Sequence, residues 1–156
     1  MRITNNKMLV TGGGSGIGLA LAERFAQQGN TIIICGRRAN ALQEAAKRIP
    51  GVITKVCDLA NEQERIALRD WVAKEHGDLN VLVNNAGIQQ WMDIGDTDFY
   101  QRAKDELAIN IEAPIHLSQL FLDLPKLDTI MNVSSGLAFS PLAKTPVYSA
   151  TKAFIR

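Results

Sequence analysis

The stretch Lys7-Met8-Leu9-Val10-Thr11-Gly12-Gly13-Gly14-Ser15-Gly16-Ile17-Gly18 restricts the fold of this chain more than any other. Met8, Leu9 and Val10 suit a short buried strand, and the glycines a turn. Ile17, Leu21, Ala22 and Phe25 share one face of a helix. A turn this rich in glycine lets backbone N–H groups approach a phosphate with no Cβ in the way. The start of a helix adds unpaired donors and the positive end of the helix dipole, so the place favours an anion. A second apolar run, Thr31-Ile32-Ile33-Ile34-Cys35, follows the helix and completes a βαβ unit. A dinucleotide-binding turn needs that context; without it the glycines would mark only a plain turn.

The rest of the chain repeats the alternation. Gly29 is the expected cap at the end of the first helix. Leu42, Ala45, Ala46 and Ile49 form the next helical stripe, which Pro50-Gly51 stops. A third strand is expected over residues 52–57. Asn61 with Glu64 three residues later has the form of a capping box, opening a helix that carries Leu68, Trp71 and Val72. Further strands are expected over 79–83 and 129–133, with a helical pattern over 97–124, bent near Pro114. A loop over 134–146 leads to a helix over 148–156. Apolar runs without alternation suit strands covered on both faces, so the fold class is α/β, a doubly wound parallel sheet. Right-handed crossovers leave few topologies for it.

The chain has 156 residues, 46% of them hydrophobic, and a formal net charge of +1. That suits a single globular domain with a core of its own. A charge so near zero argues against nucleic acid or a membrane surface as the main partner. Met1-Arg2-Ile3-Thr4-Asn5-Asn6-Lys7 contains no apolar run of a signal peptide, and no window is long and apolar enough to span a bilayer. A cytoplasmic location is the expectation. Cys35 and Cys57 fall near strand ends and are read as two buried thiols, not as a disulfide. No metal-ligand spacing links them to His76 or His116, so no metal is expected. His76 is read as ending its helix beside the dipole, and His116 as structural.

Taken together, these residues resemble the short-chain dehydrogenase/reductase family. The turn Thr11-Gly12-x-x-x-Gly16-x-Gly18 matches that family's cofactor turn, and Asn84-Asn85-Ala86-Gly87 its NNAG segment. Asn110, Ser135 and Tyr148-x-x-x-Lys152 fall where the family places its catalytic tetrad, Ser135 rather than Ser134 having the usual spacing to the tyrosine. The resemblance implies a Rossmann domain with strand order 3-2-1-4-5 over these residues. It implies cofactor contacts from Gly12, Gly14, Ser15, Gly16, Ile17, Gly18, Asp58, Leu59, Asn84, Ala86, Gly87, Tyr148 and Lys152. It also implies an enzyme that interconverts a small carbonyl compound and its alcohol by hydride transfer. Tyr148 would serve as general acid/base, with the Lys152 ammonium one helical turn away favouring release of its proton. Ser135 would hydrogen-bond the substrate oxygen, and Asn110 would hold a water linking the lysine to solvent.

Plainer readings stand beside these. Tyr148 and Lys152 alone would be a surface pair on an ordinary helix. Asn84 either contacts the cofactor ribose or satisfies backbone groups at a strand end, which is the preferred reading of Asn85. Asp58 either approaches adenine or serves a turn. Trp91 and Met92 either line a substrate pocket or pack a loop.

Cofactor choice is read after the second strand, where an acidic residue would bind the 2′-hydroxyl of NAD. Here the residues are Gly36-Arg37-Arg38. An arginine fits a 2′-phosphate through forked, charge-assisted hydrogen bonds, so NADP(H) is expected with Arg37 as first choice. NAD(H) and a merely solvated basic pair are the alternatives, and Ser15 before Gly16 adds no basic residue. Family members run to about 250 residues, a size one α/β domain can hold. This sequence stops four residues after Lys152. Residues 1–156 are therefore expected to be the N-terminal NAD(P)-binding part of a longer chain, with strand 129–133 an exposed edge. The full protein would form a homodimer or homotetramer through helices near 110–124 and from Tyr148 onward. The rival expectation is a dinucleotide-binding module, or a truncated fragment, without activity.

Overall fold

In the computed structural model, which describes residues 3–156, strands and helices alternate from the first strand onward. They are β1 (Lys7–Thr11), α1 (Gly16–Gln27), β2 (Thr31–Gly36), α2 (Ala39–Arg48), β3 (Ile53–Val56), α3 (Glu62–Glu75), β4 (Val81–Asn84), α4 (Phe99–Leu107), α5 (Ala113–Phe121), β5 (Thr129–Asn132) and α6 (Pro146–Phe154). Met1 and Arg2, which open the stretch read for a targeting signal, lie outside the described residues.

The five strands make one parallel sheet in the order β3-β2-β1-β4-β5, as the sequence led us to expect. Strand alternation divides its side chains between two cores. Met8 and Val10 of β1, Ile32 and Ile34 of β2, and Val81 and Val83 of β4 pack under α1 and α2, against Leu19, Ala22, Leu42 and Ala45. Leu9, Ile33, Cys35 and Leu82 point to the other face and meet Leu68 and Val72 of α3 and Ala113, Leu117 and Phe121 of α5. Each large side chain buried this way contributes roughly 1.5–3 kcal/mol, which is why the strands read as unbroken apolar runs.

Several boundaries move by a residue or two, where fraying at strand ends wins over pattern. α1 closes at Gly29, whose N–H donates to the Ala26 carbonyl at 2.9 Å. Asn61 caps α3 by accepting from the Gln63 and Glu64 amides. Glu64 does not complete the reciprocal box; its carboxylate accepts from the Asp58 amide at 2.6 Å. The helical pattern over 97–124 is not one bent helix. A π-helical turn, Ala108–Glu112, separates α4 from α5, ahead of Pro114. Pro114 has no N–H to give and its ring crowds the carbonyl four residues earlier, so the widened turn relieves the clash. Pro146 occupies the first turn of α6, where its missing N–H costs nothing, so that helix starts before Tyr148. A 3₁₀ turn, Gly136–Ala138, interrupts the expected loop.

Cys35 and Cys57 are both buried free thiols. Burial pushes the Cys57 thiol up to about 11 and Cys35 higher still, so neither is a ready nucleophile. His116 accepts from Arg65 Nε at 3.0 Å, joining α3 to α5. His76 caps α3 and meets Trp71 edge-on at 4.7 Å between centroids. Partial burial and nearby Lys7 hold its imidazole below the usual value, opposite to what the helix dipole alone would do. Among the described residues no helix is long and apolar enough to cross a membrane, and no cluster of His, Cys, Asp or Glu could hold a metal.

Phe121 is fully buried where α5 meets the sheet. Phe121→Ala should lower unfolding free energy by about 3–5 kcal/mol in urea denaturation. A loss well below that range would mean that α5 does not pack as described.

Candidate active site

The strand order reverses between β1 and β4, and there the connections leave in opposite directions and open a crevice at the carboxyl ends. Thr11 sits at the fork. Its hydroxyl donates to the Val83 carbonyl at 3.2 Å and accepts from the Asn85 and Ala86 amides at 3.0 Å each. Asn85 Nδ2 returns a bond to the Thr11 carbonyl at 2.9 Å. Sequence reasoning did not single out Thr11, although it stands in the glycine motif.

The crevice encloses about 580 Å³. One end is the glycine turn: Gly12, Gly14, Ser15, Gly16, Ile17 and Gly18 all line it. Gly12 holds φ +66°, a backbone state that L side chains rarely adopt. A Cβ on Gly18 would collide with the Asn85 amide and the Gly12 carbonyl, so glycine lets α1 approach the turn. No side chain caps the N-terminus of α1 and no acidic residue occupies its first turn. Ser15, at the cap position, instead accepts from Arg38 Nη2 at 2.8 Å. Arg37 and Arg38 both line the crevice here. The structure thus draws Arg38, which the sequence ranked second, onto the turn.

Two expected contacts, Asn84 and Asp58, look different in place. Asn84 is buried and does not line the crevice; its amide donates to Asn132 Oδ1 at 3.0 Å and to Ser118 at 3.2 Å, bracing β4 against β5 and α5. Asn85 lines the crevice while its side chain satisfies the Thr11 carbonyl, the backbone role preferred for it from the sequence. Asp58 accepts from the Ala60 amide at 3.0 Å, a turn role, while its neighbour Leu59 lines the wall.

At the other end stand Ala86, Gly87, Ile88, Tyr148 and Lys152. Lys152 is 6% exposed, its Nζ donates to the Val133 carbonyl at 2.8 Å and lies 5.7 Å from the Tyr148 ring centroid. Desolvation holds this ammonium below the usual lysine value. Gly87 packs so closely that a Cβ on it would sit 3.3 Å from Asn110 Oδ1 and 3.4 Å from Lys152 Nζ. Asn110, in the π turn, spends its side chain on structure. Its Oδ1 accepts from the Ile88 amide, and its Nδ2 donates to the Ile88 carbonyl and to Thr151 Oγ1. Thr151 in turn donates to the Tyr148 carbonyl at 2.8 Å. Both amide protons of Asn110 are therefore spent, and its Oδ1 keeps one further acceptor site.

Ser135, like Asp58, Asn84 and Asn110, is an expected site residue that does not line the crevice. Its Oγ accepts from the Leu137 amide at 3.2 Å, capping the 3₁₀ turn. Ser134 lines the crevice and donates to the Lys152 carbonyl at 2.8 Å. Of Trp91 and Met92, Met92 is buried in loop packing and Trp91 is 67% exposed. Thr151 and Ser134 carried no signal beyond lying next to motif residues.

Comparison with known proteins gives a consistent result. A sequence profile of the short chain dehydrogenase family matches residues 6–156. The uncharacterized oxidoreductase DltE of Bacillus subtilis is 49% identical over 98% of this chain and 62% of its own length. An NADP-dependent (R)-specific alcohol dehydrogenase of Lentilactobacillus kefiri is 32% identical over 99% of this chain and 64% of its own. The crystal structure of a metagenomic short-chain oxidoreductase in complex with NADP superposes with a TM-score of 0.88 at 27% identity, covering 97% of this chain and 72% of that one. The chain thus spans about six-tenths of the length of these curated relatives.

Lys152 sets a pH signature. Its folded-state value lies below its unfolded one, so charge on it costs folding energy at neutral pH, and that cost fades as pH climbs toward the usual lysine range. Between about pH 7 and about pH 10 the urea midpoint of the wild type should therefore rise relative to that of Lys152→Met. Parallel midpoints would show that the ammonium is not desolvated.

Proposed function

The chain belongs to the short chain dehydrogenase family; from that premise we propose that it is an NADP(H)-dependent oxidoreductase interconverting a small carbonyl compound and its alcohol. The observation that carries this reading is one crevice holding both the glycine turn and the Tyr148–Lys152 pair. The residues present fit a dinucleotide: an uncapped helix start, a turn that a Cβ would fill at Gly18, and two guanidinium groups beside it. When bound, such a cofactor supplies or takes up the hydride.

The protein's own residues do the rest. Backbone donors of residues 12–18 hold the diphosphate by charge and fit. Arg37 and Arg38 hold the 2′-phosphate, with Ser15 keeping Arg38 turned toward the site. Asn85, Ala86 and Gly87 form the middle of the floor, and Leu59 the adenine side. Tyr148 gives its hydroxyl proton to the substrate oxygen during reduction and takes it back during oxidation. Lys152, held by the Val133 carbonyl, keeps a positive charge beside that phenol. The Ser135 hydroxyl donates to the same substrate oxygen. Asn110 positions α6 through Thr151.

The NADP-dependent relative and the NADP-bound neighbour support the cofactor class. Self-association of the full protein is part of the same proposal. Tyr100, Leu107, Ile115 and Leu122 are exposed along α4, α5 and the turn that ends α5, at intervals of seven, eight and seven residues. The π turn absorbs the extra residue, so these side chains fall in one stripe that a second copy could cover. A cytoplasmic location belongs to this reading too. The position of Ser135 outside the crevice lining favours one rival, a module that binds the dinucleotide without turnover.

Tyr148→Phe separates the two. Reduction of a panel of ketones with NADPH should fall by at least about a hundredfold, while NADPH affinity stays within about twofold. Turnover retained by the variant would exclude the tyrosine mechanism, and none in the wild type would favour the rival. Replacing Arg37 and Arg38 by Ala should weaken NADPH by about tenfold more than NADH in fluorescence titration. Equal losses would remove the NADP assignment.

A further inference from the structure

Residues 88–92, which follow β4 without regular secondary structure, run past α4 and the π turn, and Ile88 and Gln89 line the crevice with Tyr148 and Lys152. Three side chains spaced by four, Arg102, Glu106 and Asn110, form one stripe of that helical stretch. Each of them bonds the backbone of this segment. Asn110 takes both the amide and the carbonyl of Ile88, at 2.9 Å each. Glu106 Oε1 accepts from the Gln90 amide at 2.5 Å. Arg102 Nη1 donates to the Trp91 carbonyl at 2.6 Å, and the Gln90 side chain donates back to the Arg102 carbonyl at 3.3 Å. The segment is thus held in register, nearly residue by residue, as an extra strand would be.

Glu106 is the member that packing does not explain. It is 0% exposed, and among the described residues no ion pair faces it and its Oε2 has no hydrogen-bond partner. Burying a carboxyl with half its acceptor capacity unmet costs stability, and an apolar side chain of the same length would cost less. Desolvation accordingly pushes this carboxyl above the usual glutamate range. Arg102, one turn away, is occupied by Asp96 at 2.5 Å and Asp98 at 2.7 Å. The contact that Glu106 does make is the one to the Gln90 amide.

We infer that Glu106 is a positioning residue for the carbonyl-binding side of the crevice, its Oε1 fixing the Gln90 amide and hence the course of residues 88–92. This inference rests on the oxidoreductase reading for the word carbonyl, but the backbone clamp itself does not. Residues 12–18 hold the other end of the crevice on different elements, so loss of Glu106 separates substrate binding from nucleotide binding.

The test compares Glu106→Leu with Glu106→Gln, which keeps an oxygen acceptor in place. Amide exchange by NMR should show the Gln90 amide of Glu106→Leu exchanging at least about tenfold faster than in the wild type, and Glu106→Gln recovering most of that protection. With a ketone that the wild type reduces, Glu106→Leu should raise KM about tenfold and leave the NADPH dissociation constant within about twofold, and Glu106→Gln should restore KM. Unchanged Gln90 exchange in a folded Glu106→Leu overturns the clamp. Faster exchange with unchanged KM overturns its role toward substrate, as does an equal loss of NADPH affinity. If the wild type reduces no ketone, the oxidoreductase reading fails separately, and Gln90 exchange alone decides the clamp.

Discussion

Everything functional in this molecule depends on how β1 and β4 end. Parallel neighbours whose connections leave on opposite sides of the sheet cannot close over their carboxyl ends, so a crevice there follows from topology. What the sequence adds is the hydroxyl of Thr11, which bonds the backbone of residues 83, 85 and 86 at once. That tie sets the glycine turn beside the Asn85-Ala86-Gly87 segment. Gly18 then lets α1 come close enough for its uncapped start to open onto the same space.

The reactive end is assembled less locally. Lys152 reaches the crevice because α6 docks on α4 and the π turn, and one hydrogen bond from Asn110 to Thr151 joins them. The π turn therefore has two consequences. It relieves Pro114, and it presents Asn110 to both Ile88 and α6. A cation buried to 6% exposure and bonded to a carbonyl is an expensive arrangement, and packing alone gives no reason for it. In the proposed reaction its worth is a fixed positive charge beside Tyr148.

Much of this was legible in the sequence, because the information was periodic or motif-like. Two-sided burial wrote β1, β2 and β4 as apolar runs, and the glycine turn and the Tyr-x-x-x-Lys spacing placed both ends of the crevice. The misplacements share one physical cause: side-chain direction is not in the motif. Asn84 and Asn85 are adjacent, and alternation along a strand sends one into the sheet interior and the other into the crevice. Ser134 and Ser135 at the other end also divide, Ser134 lining the crevice and Ser135 capping the 3₁₀ turn. The break at 108–112 was hidden because a π turn needs only one extra residue, which shifts the helical pattern too little to see. Glu106 reads as a surface glutamate until its burial is known.

In the proposed function a single dinucleotide spans the crevice from the glycine turn to the Tyr148–Lys152 pair. A crystal structure with NADP⁺ bound tests it most directly. The diphosphate should lie at residues 12–18, the 2′-phosphate beside Arg37 and Arg38, and the nicotinamide ring against Tyr148 and Lys152. A nicotinamide ring bound away from Tyr148, with the glycine turn empty of phosphate, would contradict it.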